Sequence, residues 1–153
     1  MTKVLIAVDD SESSVRAAKA AHRLFGDGAE YTVVSVAPTL PLYWGDSMMT
    51  WGVAYPLAMP QPAYQDSWPL AMSQVEEAAQ IAHDVADEAD VPVAHAVGET
   101  GDAAHAILAA AHAYEADVIV VGSHDRGWFS TLLDPSTAKA VLRESDVPVL
   151  IAP

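Results

Sequence analysis

Val4-Leu5-Ile6-Ala7-Val8, closed by Asp9, is the stretch whose reading decides the fold. A strand with one wet face alternates apolar and polar residues. An unbroken apolar run of this length is what a parallel strand needs when both of its faces are covered. Working outward, runs of the same kind predict strands at residues 31–37, 91–97, 117–121 and 147–152. Between them the apolar period changes from two to between three and four. Val15, Ala18, Ala21, Leu24 and Phe25 form one helical stripe, which Gly26 or Gly28 can end. Val75, Ala78, Ala82, Val85 and Ala89 form a second, Ala104, Ile107, Leu108 and Ala111 a third, and Ala138, Val141 and Leu142 a short fourth. The order is βαβαβαβαβ. Right-handed crossovers with helices on both faces make this an α/β chain with one doubly wound, Rossmann-like parallel sheet of five strands and four helices. Such sheets take ligands at the carboxyl ends of strands, where the strand order reverses. If the first and fourth strands are central neighbours, the loops after Val8 and Val121 meet there and bring Asp9 near Gly122.

The 153 residues suit a single domain spanning 1–153, with no internal repeat. There are no cysteines, which excludes disulfides and thiolate chemistry. No signal peptide is apparent, and no apolar stretch approaches the roughly 20 residues of a membrane span. A cytoplasmic protein is expected. Net charge is −14, from 21 acidic and 7 basic residues. That field opposes nucleic acid and anionic membranes, so neither is expected as a partner. Solubility alone accounts for such acidity, and salt adaptation is an alternative. Glu76, Glu77, Asp84, Asp87 and Glu88 read as the solvated face of the second helix.

Residues 38–69 break the alternation. The segment has no clear period and contains Trp44, Trp51 and Trp68, three tyrosines, three methionines and six prolines, with only Asp46 and Asp66 as charges. A connection this long in a compact domain is usually functional or disordered, and its aromatic content argues against disorder. It reads as an insertion that packs on its own domain or serves as a lid or docking surface.

The sharpest local signal is Val121-Gly122-Ser123-His124-Asp125-Arg126-Gly127, followed by Asp134-Pro135-Ser136-Thr137 at a helix start. A strand, a glycine-bearing loop and a helix N-terminus form a usual design for holding phosphate, because backbone N–H groups and the helix dipole point at the anion. Together with Val4 to Asp9 and Ser11-Glu12-Ser13-Ser14, Gly101-Asp102-Ala103-Ala104 at the third helix, and Val147-Pro148-Val149-Leu150-Ile151, this segment makes the chain resemble the universal stress protein family over essentially its whole length. The resemblance implies the strand order 3-2-1-4-5 and usually a dimer. Some members of that family bind ATP and others do not. By resemblance, Ala7, Val8 and Val36 would offer backbone contacts to an adenine.

The ATP-binding members carry glycine, two residues, glycine, nine residues, then glycine followed by Ser or Thr. Here the first glycine is Gly122 and the final hydroxyl is Ser136, but Asp125 and Pro135 stand at the other two glycine positions. Asp125 adds a negative side chain where phosphate oxygens would lie, and Pro135 has no N–H to donate. Arg126 is a compensating phosphate partner or a surface residue, and Gly127 restores loop freedom one register later. Asp9 is a ribose acceptor or a turn and cap residue, with Ser11 a candidate N-cap. The candidate ligand-contact set is therefore Ala7, Val8, Asp9, Val36, Val121, Gly122, His124, Arg126, Gly127, Ser136 and Thr137.

The six histidines are too scattered for a metal site; His105 and His112, seven apart, miss the i, i+4 spacing. Only His124 sits in the cleft loop. No Gly-x-Ser-x-Gly elbow is present, and catalysis is not indicated. The leading expectation is a stress-response or regulatory homodimer, paired through the C-terminal edge strand, that binds an unknown protein partner and carries a degenerate nucleotide cleft with no cofactor. The alternatives are an ATP- or adenine-nucleotide-binding switch and, last, a slow ATPase.

Overall fold

The computed structural model describes residues 1–37, 67–123 and 135–152. Its elements are β1 (Lys3–Val8), α1 (Glu12–Phe25), β2 (Glu30–Ala37), α2 (Ser67–Glu88), β3 (Val93–Thr100), α3 (Ala103–Ala113), β4 (Val118–Gly122), α4 (Pro135–Glu144) and β5 (Val149–Ala152). The strands form one parallel sheet in the order β3-β2-β1-β4-β5. This is the α/β architecture and the strand order expected from the sequence. Val4, Ile6 and Val8 point into the layer holding α1 and α2, whereas Leu5 and Ala7 point into the layer holding α3 and α4. The unbroken apolar run is thus used on both sides. Alanines at 17, 18, 21, 82 and 86 let α1 and α2 sit close to the sheet.

Four element boundaries and two side chains differ clearly from expectation. Val91 is not in β3: its N–H bonds the Ala86 carbonyl in the turn that ends α2, where Asp90 takes a positive φ of 53°. β3 instead runs on through Gly98 to Thr100, because those residues pair with Ser35, Val36 and Ala37. Val147 is held out of β5 by Ser145, whose hydroxyl donates to its carbonyl (2.7 Å) and accepts from its N–H (3.1 Å). Residues 67–69, placed in the insertion by sequence, open α2. The rest of that insertion lies outside the described residues. Leu24 and Leu142, assigned to buried stripes, are 63% and 51% exposed. Phe25 and Val141 carry the packing at those turns.

Gly26 ends α1 with φ 70°, its N–H bonding the His22 carbonyl. Tyr31 locks this end: its ring is buried, it meets His22 edge-on, and its hydroxyl donates to the Gly26 carbonyl at 2.8 Å. Burial, and then the nearby Asp27 carboxylate, push the Tyr31 phenol above its ordinary value of 10.0. The folded state therefore holds this proton more tightly than the unfolded chain. Its stabilisation is complete below about pH 10 and is lost as pH rises through the folded value. Alkaline denaturation should accordingly begin above about pH 10. Tyr31→Phe should cost about 1 kcal/mol at neutral pH, for one hydrogen bond, and flatten most of that alkaline slope. Urea melts of both proteins at pH 8 and pH 11 check this, and an unchanged slope in the variant would exclude Tyr31 as its source.

Candidate functional site

The cleft forms where the order reverses, between the ends of β1 and β4. Ala7 lies level with Val121 across the ladder, so the chain leaves β1 at Val8 and Asp9 beside the point where β4 reaches Gly122. The start of α1 lies directly over this end of β4. A Cβ on Gly122 would stand 3.3 Å from the Ser13 carbonyl oxygen and 3.7 Å from the Ala17 Cβ. Glycine at 122 leaves room for the α1 backbone, which a side chain there would have to push back by a few tenths of an ångström.

Asp9 is buried, and its Oδ1 gathers the first turn of α1 around itself. It accepts from the Ser11 N–H at 3.1 Å, from the Ser14 hydroxyl at 2.7 Å, and from the Ser11 hydroxyl. The Asp9 N–H in turn donates to Ser14 Oγ at 2.9 Å. Ser11 is the N-cap, accepting from the Ser14 N–H. Because the single Ser11 proton goes to Asp9, the 2.8 Å contact between Ser11 and Ser13 makes Ser13 the donor. The carboxylate also lies at the positive end of the helix dipole, which favours its charge. Ser14, buried like Asp9, was quoted from sequence with the family motif but not placed in the candidate site. The Asp-x-Ser-x-x-Ser spacing, an Asx turn running into an N-cap, is the signal that identifies it.

The remaining candidates divide by position. Ala7, Val8, Val36 and Val121 are buried at the strand ends. Their side chains belong to the core, so their backbone is what they can offer a ligand. Ser136 and Thr137 fall in the first turn of α4, with Thr137 half-buried. His124, Arg126 and Gly127 lie outside the described residues, as do Asp125 and Asp134. Ser35, level with Val8 and near the end of β2, is buried with no partner for its hydroxyl among the described residues. At the start of α3, Gly101 takes φ 117° and Asp102 caps the helix through the His105 N–H at 2.9 Å. Among the described residues no cluster of His, Asp or Glu is placed to hold a metal, and no helix is long and apolar enough to cross a membrane.

A five-stranded parallel sheet whose order reverses between the first and fourth strands places the molecule among the doubly wound α/β proteins. The model of the universal stress protein family matches residues 1–153, and the chain belongs to that family. No curated protein matches it. Among solved structures it is similar to a universal stress protein family member from Burkholderia pseudomallei, with 24% identity, a TM-score of 0.60, and 99% of this chain and 96% of that one covered. A universal stress protein in complex with cAMP matches at 20% identity and a TM-score of 0.60, covering 99% of this chain and 96% of that one. The Archaeoglobus fulgidus universal stress protein in complex with dAMP matches at 17% identity and a TM-score of 0.51, covering 100% and 98%. At these identities the likeness shows a shared fold.

Proposed function

We propose that this chain is a stress-response regulator that works by association, pairing with itself through the β5 edge and with a protein partner, and that its cleft is a degenerate nucleotide site. The observation that carries the reading of the cleft is the first residue of α4, which is Pro135. A helix that receives phosphate does so with the free N–H groups of its first turn, and proline has none at that position. Asp125 stands where the second glycine of an ATP loop would be. Two like charges about 4 Å apart at an effective dielectric near 20 cost roughly 4 kcal/mol, nearly a thousandfold in affinity. The Asp9 carboxylate, spent on the start of α1, has less to offer a ribose. For pairing, the support is an uncovered apolar edge: Ile151 on β5 is 47% exposed, and an edge strand of this kind needs a partner.

Calorimetric titration with Mg-ATP tests the cleft. The natural sequence should give no binding at about 100 μM, and the double variant Asp125→Gly with Pro135→Gly should gain at least about tenfold. Micromolar binding by the natural protein would overturn the reading and point to Arg126 and Gly127 as a shifted phosphate loop. A second reading, a switch driven by an adenine mononucleotide, draws on the relatives solved with cAMP and dAMP. A mononucleotide asks less of the phosphate loop and uses the strand ends at Ala7, Val8 and Val36. The same titration with cAMP and AMP separates the two readings.

A further inference from the structure

The chain has only seven Lys and Arg residues, yet three of them lie on one exposed face of α1: Arg16, Lys19 and Arg23. Beside it on the same side of the sheet runs α2, which contains no Lys or Arg. Its exposed face carries Glu76, Glu77, Asp84, Asp87 and Glu88. Of these three, Lys19 and Arg23 form no ion pair among the described residues. On α2 the carboxylates are served locally, Asp87 by His83 at 3.2 Å and Asp84 by Gln80 at 2.7 Å.

We propose that this α1–α2 face is a self-association surface, separate from the β5 edge and not resting on it, on which a second copy docks across a two-fold axis. Both helices return along parallel strands in the same sense, so they run parallel to one another. A two-fold axis lying in the face and running along the helices then sets α1 of one copy parallel against α2 of the other, and makes the same contact twice. The spacings match: Arg16 and Arg23 are seven residues apart, as are Glu77 and Asp84. Seven residues is two helical turns, about 10.5 Å, so each pair stays on one side of its helix. Gly122 and Gly98 end up at one level of the sheet, the first under Ser13 and Ala17 and the second under Val75 and Ala79, so in this parallel arrangement Arg16 comes level with Glu77 of the second copy and Arg23 with Asp84. Leu24, exposed beside Arg23, supplies an apolar contact at the margin.

Charge selects the occupant. Any body covering α1 also abuts α2, so it must be negative over the first and positive over the second. A nucleic acid or an anionic membrane is negative throughout and meets the five carboxylates. A second copy, rotated by half a turn, presents both signs in the required places. The net charge of −14 on each copy opposes approach at low salt. At roughly 0.1 M salt, with a Debye length near 10 Å, that repulsion is screened while contact pairs persist.

Sedimentation velocity on the full chain at about 100 μM and about 0.1 M salt tests the surface. Lys19→Glu with Arg23→Glu, and separately Glu77→Lys with Asp84→Lys, should each lower the assembly by one step. Each should weaken association at least about tenfold. An equimolar mixture of the two variants should restore the larger species, because each then offers what the other lacks. That restoration also shows that both variants are folded. The species left in each variant alone reports the β5 pairing: a dimer supports it, and a monomer removes it without touching this surface. If both variants sediment like the natural protein, or if the mixture stays at the smaller size, the surface is not a self-interface.

Discussion

Gly98→Ala is expected to destabilise the protein by about 3 kcal/mol or more, the upper range for forcing extra atoms into a packed interior. Gly98 lies inside β3, level with Ser35 of β2, and α2 crosses it so closely that a Cβ would overlap the Val75 carbonyl oxygen. The same Cβ would stand 2.6 Å from the Ala79 nitrogen. Both obstacles are helix backbone, so no side chain can turn aside and relieve the overlap. Either α2 lifts from the sheet or β3 leaves its register. Lifting α2 uncovers Ala82, Val85, Ala86 and Ala89, which are buried against β1 and β2. For a chain of this size 3 kcal/mol lowers the melting temperature by roughly 6–12 °C. Gly28→Ala is the matched control, because nothing lies within 4 Å of a Cβ there. A Gly98→Ala protein melting within a degree or two of the control would show that α2 does not approach β3 this closely.

A glycine within a strand pattern signals close approach of another backbone. What approaches cannot be read locally, since Val75 and Ala79 lie more than a helix turn beyond any pattern that includes Gly98. The same limit explains the other differences. Continuous apolar runs specify parallel strands covered on both faces, and four helical stripes between them leave few ways to wind the sheet. Strand ends, in contrast, depend on partners: β3 extends to Thr100 because β2 reaches Ala37, and β5 starts late because Ser145 holds Val147. Leu24 belongs to the α1 stripe by spacing, yet it is left exposed near the end of the helix. At the cleft, the meeting of β1 and β4 depended on the two strands being neighbours, an order implied by the family resemblance and present in the sheet. The use of the Asp9 carboxylate was not legible, because acceptor and cap are equally satisfied by an aspartate at a strand end.

That use gives the second large expected effect: Asp9→Ala should cost about 3 kcal/mol or more in ligand-free protein. Hydrogen bonds to a charged group contribute roughly 1.5–3 kcal/mol each, and losing their acceptor strands the donors. Here the buried Ser14 hydroxyl and the Ser11 N–H would both lose the Oδ1 that they share. Ser11 is also the N-cap of α1, so its hydroxyl would be freed to rotate and the cap would weaken, a further loss of about 1 kcal/mol. The consequence reaches the cleft itself, because the turn that Asp9 organises carries the Ser13 carbonyl over Gly122. Asp9→Asn separates geometry from charge. It retains an oxygen acceptor for the two serines but gives up the attraction between a carboxylate and the α1 N-terminus, worth up to roughly 1 kcal/mol. Asn should therefore recover more than half of what Ala loses. Chemical denaturation of the three proteins without nucleotide measures both steps. An Asp9→Ala variant as stable as the natural protein would mean that the serine network does not hold α1 in place, and would return Asp9 to the ribose role.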